Sequence, residues 1–139
     1  MVAASPALAQ DRSPAIRQSL VDLAYVLGES HALRQVCTGP DDQYWRDRMM
    51  RLTEAERPDA GLDTRLKDSF NTGYASRQSE FPACTTASKR AQVVAADHGH
   101  DIAARLSRVM NKTEPEPPTP TILESLTLGT PVAATPQKR

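Results

Sequence analysis

Ser13-Pro-Ala-Ile-Arg-Gln-Ser-Leu-Val-Asp-Leu-Ala-Tyr-Val-Leu27 decides the fold class. A serine oxygen accepts a bond from an amide of the first helical turn, and the proline after it fits the first helical position, where its missing N–H costs nothing. Ile16, Leu20, Leu23 and Leu27 then recur every three or four residues, which sets them along one face of a helix. Tyr25 and Val26 widen that stripe. Gly28 falls inside the pattern, where it permits close helix approach or a slight bend, and the pattern resumes at Leu33, Val36 and Cys37 until Gly39-Pro40 ends it.

Three further helices are read downstream. Pro40-Asp41-Asp42 opens the second, its acids near the positive end of the helix; Trp45, Met49 and Leu52 share a face, and Arg57-Pro58 stops it. The third starts at Asp63 or Thr64, carries the stripe Leu62, Leu66, Phe70, Gly73 or Tyr74, and Arg77, and ends at Phe81-Pro82. Thr85 or Thr86 caps the fourth, whose inward positions are predicted as Ala87, Ala91, Val94, His98, Ile102, Leu106 and Val109. Composition agrees with an all-α fold: aromatics are 4% of the 139 residues, so the core is built from aliphatic side chains and alanine, which suits packed helices better than a sheet. The expected architecture is a four-helix up-down bundle with one disulfide and a disordered C-terminal tail.

The chain divides into residues 1–9, residues 14–110 as one helical domain, and residues 111–139. Ala7-Leu8-Ala9 fits the small-x-small pattern of a signal-peptidase site, with Pro6 upstream and the cut before Gln10. The basic start and long apolar stretch of a signal peptide are missing, so residues 1–9 read as its remnant; the other reading is an alanine-rich terminus without structure. Residues 111–139 hold six of the 11 prolines and no aromatic, and such a segment cannot bury enough apolar surface to offset the entropy of ordering. Ile122, Leu123, Leu126 and Leu128 form an apolar island there, either random or a docking motif.

If residues 1–9 are the remnant of a signal peptide, the mature chain lives in an oxidising compartment, and Cys37 and Cys84 should pair there. The order of elements allows it: Cys37 ends helix one, Cys84 precedes helix four, and in an up-down bundle these points share one end. The bridge closes a loop of about 46 residues, worth roughly 4 kcal/mol by chain entropy. A redox pair would sit in a Cys-x-x-Cys turn, and a zinc site would want histidines nearby.

Lys+Arg and Asp+Glu are 17 each, so the chain lacks the field of a general nucleic-acid binder, and no apolar run nears the ~20 residues that cross a bilayer. Asp97-His98-Gly99-His100-Asp101 invites a metal reading, but histidines two apart point about 200° away from each other on a helix. The plainer reading makes His98 a core residue and His100 a solvated one; a metal site would also need His31, Glu29 or another ligand. Tyr44-Trp-Arg-Asp-Arg-Met-Met-Arg51 sets the sole tryptophan among three arginines, residue types that concentrate energy at interfaces, although Trp45 shares the core face of Met49 and Leu52. Nucleophile, phosphate-loop and His-Glu-x-x-His motifs are missing, and no cofactor is implied.

Leu27-Gly-Glu-Ser-His-Ala-Leu-Arg-Gln-Val-Cys37, Tyr44-Trp-Arg-Asp-Arg-Met49, Phe70-Asn-Thr-Gly-Tyr74 and Ala83-Cys-Thr85 together resemble a small family of exported alphaproteobacterial proteins with a domain of unknown function, over about residues 16 to 110. The resemblance implies a periplasmic setting and paired cysteines and assigns no catalytic residue. It implies a structural or binding core of Arg34, Trp45, Arg46, Asn71, Gly73 and Tyr74. The functional expectation is a non-enzymatic interaction or adaptor protein of the cell envelope with a periplasmic protein partner. The alternatives are a small-ligand or metal-binding module using His31, His98 or His100, and an enzyme acting on envelope polymers.

Overall fold

The computed structural model describes residues 12–113, and the expected signal-peptide remnant and the expected disordered tail lie outside them. Helices α1 (Pro14–Thr38), α2 (Tyr44–Glu56), α3 (Ala60–Glu80) and α4 (Thr86–Thr113) follow one another, and no strand occurs among the described residues. The unit described below ends at Arg108. No helix of the described residues is long and apolar enough to cross a membrane.

Helix α1 starts where the sequence predicts. The Ser13 hydroxyl accepts from the Ile16 amide at 3.3 Å, and Pro14 takes the first helical position. It ends at Gly39, whose φ of 105° only glycine adopts at little cost. Residues 26–33 are all buried, so this part of α1 is enclosed on every side rather than along one stripe. Neighbour directions alternate about it. Arg12 meets Glu56 and Arg34 meets Asp42, so α2 runs antiparallel to α1. Arg17 meets Asp59 and Glu29 meets Arg77, so α3 runs parallel to it.

The α1–α3 contact is the tightest in the molecule. A Cβ at Gly28 would overlap the carbonyl oxygen of Phe70, and one at Gly73 would overlap that of Tyr25. Two glycines thus bring two backbones into direct contact. Polar side chains extend the seam: the Ser69 hydroxyl donates to the Val21 carbonyl at 2.8 Å, and Arg77 donates to the buried Glu29 carboxylate at 2.8 Å. The Glu29 charge is tolerated because its partner is in place.

At the far end of α1, Cys37 and Cys84 form the expected disulfide, with α-carbons 4.8 Å apart. Thr85 and Ser88 then cap α4 reciprocally: the Ser88 amide donates to the Thr85 hydroxyl at 3.1 Å, and the Thr85 amide to the Ser88 hydroxyl at 2.8 Å.

Three sequence expectations are corrected. Helix α2 begins at Tyr44 rather than at Pro40-Asp41-Asp42. The Asp42 carboxylate instead accepts from the Tyr44 amide and from Arg34, a local bond that competes with helix and defers its start. Helix α3 begins at Ala60, not at Asp63 or Thr64, because Asp59 caps it by accepting from the Leu62 amide at 2.8 Å. The inward face of α4 is Ser88, Ala95, Gly99, Ile102 and Leu106; Val94 is 66% exposed, and Ala87, His98 and Val109 are exposed as well. At Gly99 a Cβ would lie 3.2 Å from a Val26 methyl of α1.

Candidate functional site

Helix α2 is the shortest of the four, and its two sides wall two different hollows over α1. On the α4 side lies an apolar groove of about 460 Å³. Its floor is Leu23, Val26 and Leu27 of α1, its far wall Ala95, Gly99 and Ala103 of α4, and its near wall Trp45 and Leu52 of α2. Arg48, Arg51 and His100 stand at its edge, and no carboxylate lines it. Trp45 is half-buried, with its indole N–H sealed from solvent and without a hydrogen-bond partner. The Arg48 guanidinium lies 3.9 Å from the Tyr44 ring centre and 5.5 Å from that of Trp45, and the two rings meet edge to face at 5.0 Å. Neither Arg48 nor Arg51 forms an ion pair among the described residues.

On the α3 side lies a polar cleft of about 690 Å³. His31 and Gln35 of α1, Arg46 and Met49 of α2, and Phe70, Asn71 and Tyr74 of α3 all line it, with Lys67 at its margin. Their spacing is helical: His31 and Gln35, Lys67 and Asn71, and Phe70 and Tyr74 are each four apart, so each pair presents one face. His31 is 6% exposed, and its Nδ1 has no hydrogen-bond partner. Its ring packs against Tyr74 and Phe70, with centroids 5.3 and 5.7 Å away. The Tyr74 hydroxyl donates to Gln35 at 2.8 Å, and the Gln35 amide donates to the Pro40 and Asp42 carbonyls, which fixes that wall. Burial and, next, the Arg46 charge push the His31 imidazole below its ordinary value, against a weaker pull from Asp42 and Asp47.

Of the expected core residues, Arg46, Asn71 and Tyr74 therefore meet in one cleft. Trp45 faces the opposite groove, and Gly73 serves the α1–α3 seam. Arg34 is a clamp: it donates to Asp42 at 2.7 Å and lies 4.4 Å over the Tyr44 ring. The Asp42 carboxyl is held below the usual carboxylate range by the Tyr44 amide first and Arg34 next. The three histidines do not come together. His31 sits in the polar cleft, His100 edges the groove and His98 is exposed, so the core histidine is His31 and not His98. Among the described residues no three His, Cys, Asp or Glu side chains gather in a way that would hold a metal ion.

The family model for "Protein of unknown function (DUF2385)" matches residues 16–109. The chain belongs to this family. No curated protein and no solved structure matches it. Every residue lining the groove and the cleft lies inside the DUF2385 segment. The sequence motifs of the resemblance include Arg46, Met49, Asn71 and Tyr74 but not Lys67, which becomes visible only once α3 is folded against α1 and α2. His31 lies inside the first of those motifs, and the signal for its role was its four-residue spacing to Gln35 on one face of α1.

Proposed function

We propose that the protein is a non-enzymatic interaction protein of the cell envelope, acting in the periplasm, and that the groove between α1, α2 and α4 receives an amphipathic helix of a partner protein. The observation that carries this reading is the pairing of near-continuous apolar walls, including the sole tryptophan, with two arginines that no carboxylate of the described residues neutralises. An apolar helix face presents anchors at three- and four-residue spacing and fits such a groove. Acidic residues flanking that face would pair with Arg48 and Arg51. Tryptophan and arginine are the side chains from which interface energy concentrates. A second apolar surface flanked by cations, Val93 and Val94 beside Lys89 and Arg90, lies on the outside of α4 and extends the area open to a partner. The disulfide supports a setting outside the reducing cytoplasm.

The test is site-specific photo-crosslinking in intact cells. A photoreactive side chain at Ala96, in the groove, is expected to trap a partner segment with apolar spacing and acidic flanks; the same group at exposed Arg105 is expected to trap none. A synthetic peptide of the trapped segment should then bind the full chain, and Trp45→Ala or Arg51→Glu should weaken it. Equal trapping at both positions, or none at Ala96, counts against the reading. Osmotic-shock fractionation decides the compartment: release with the cytoplasmic fraction removes the periplasmic half of the proposal.

A further inference from the structure

The hollow on the other side of α2 is built differently and carries its own inference, independent of the groove. Its cations, Arg46 and Lys67, have no acids facing them from within: they line it beside His31, and no Asp or Glu does. Lys67 is engaged by Asp63 at 2.6 Å, one turn back on α3. Arg46 makes no ion pair or hydrogen bond among the described residues, although Asp47 is its neighbour in sequence. A guanidinium poised over a recess without a partner is the group that recognises a planar anion with two parallel bonds. The remaining walls divide into apolar surface, from Phe70, Met49 and Met50, and neutral hydrogen-bonding groups, from Asn71 and Tyr74. At the floor stands His31, more than nine-tenths buried, with one ring nitrogen unsatisfied.

We propose that this cleft is a binding site for a small organic carboxylate with an apolar body, its carboxylate held by Arg46, its body lying against Phe70 and Met49, and His31 beneath it. The recess of about 690 Å³ falls within the range of small-molecule sites. A multiply charged phosphate suits it less well, because only one cation there is unpaired and much of the wall is apolar. The seam of Gly28 and Gly73 fixes α3 against α1, so the Phe70, Asn71 and Tyr74 wall is set before any ligand arrives.

The experiment uses the full, disulfide-bonded chain with hexanoate, acetate and inorganic phosphate as probes at matched ionic strength. Binding is read by calorimetric titration and by NMR shifts of the His31 ring and the Asn71 side-chain amide. Hexanoate is expected to bind saturably, to move both signals and to bind more tightly than acetate or phosphate. Arg46→Gln should weaken hexanoate by roughly tenfold to a hundredfold, the loss of a charge-assisted bond. Arg46 is exposed and unpaired, so the variant is expected to retain the native far-UV signal. Arg51→Gln, on the groove side of the same helix, should leave hexanoate binding unchanged. No saturable hexanoate binding, equal loss in both variants, or tighter binding of phosphate than of hexanoate overturns the assignment.

Discussion

The polar cleft and the apolar groove flank the same 13-residue helix, yet they are held open by different means. On the cleft side α1 and α3 meet backbone to backbone along a glycine seam with buried polar links. On the groove side α1 and α4 are fastened covalently at one end, and their walls are alanine, glycine and aliphatic side chains. One hollow is therefore framed by a non-covalent joint that tolerates no added atom, and the other by a staple and small residues with some give. The difference teaches where each hollow is vulnerable.

The staple gives the largest expected effect. Replacing Cys37 and Cys84 together by serine frees a loop whose ends are 47 positions apart and should lower stability by about 4 kcal/mol. Urea unfolding measures it, and hydrogen exchange should show α4 losing protection ahead of α1 and α3. Uniform loss across all helices would erase the contrast between the two sides. Next comes the seam: Gly28→Ala or Gly73→Ala forces two backbones apart and should cost about 3 kcal/mol, read from the same denaturant midpoint.

The sequence carries much of this frame and little of its asymmetry. Ser13-Pro14 and Gly39 mark α1, the Leu62, Leu66 and Phe70 stripe marks the inner face of α3, and the order of elements puts the cysteines together. Glu29, Ser30 and His31, by contrast, look like a polar break in a one-sided stripe. They are buried because α1 is surrounded, a property of the neighbours and not of the segment. Val94 looks inward by hydropathy and is exposed, because the face that α4 turns inward runs through Ser88, Ala95, Ile102 and Leu106, one position round the helix. The site was legible as a set of residues, Arg46, Asn71 and Tyr74, but not as a place. Trp45 is adjacent to Arg46 in sequence and faces the opposite hollow, since successive helical positions diverge by about 100°.

Two titrations sharpen the comparison at smaller amplitude. His31 is held below its ordinary value in the folded chain, so the unfolded chain binds the proton more readily. Its contribution is present above about pH 6.5 and is lost as the pH falls through the folded value. His31→Gln should flatten the stability profile in that window, as read by thermal melts across pH. Asp59 is held at about 2 by Arg17 first and the Leu62 amide next. Its contribution is therefore complete above about pH 4 and is lost between there and about 2, and Asp59→Asn removes that acid limb. Smallest of all is Gly99→Ala. Its new methyl meets only a side-chain methyl of Val26 at 3.2 Å, and alanine favours the helix by about 1 kcal/mol, so the two should nearly cancel. A loss as large as that of Gly28→Ala would mean that the α4 side is as rigid as the α3 side.

The parallel course of α1 and α3 has a kinetic consequence. Parallel helices cannot be joined by a tight turn, so α2 and its flanking segments must carry the chain back before the seam can close. The links that zip it, Arg17 to Asp59, Ser69 to Val21 and Arg77 to Glu29, join residues 42 to 48 positions apart. Little of this joint is won from local contacts, so the chain should cross its folding barrier more slowly than a bundle of the same size whose principal contacts are between consecutive helices.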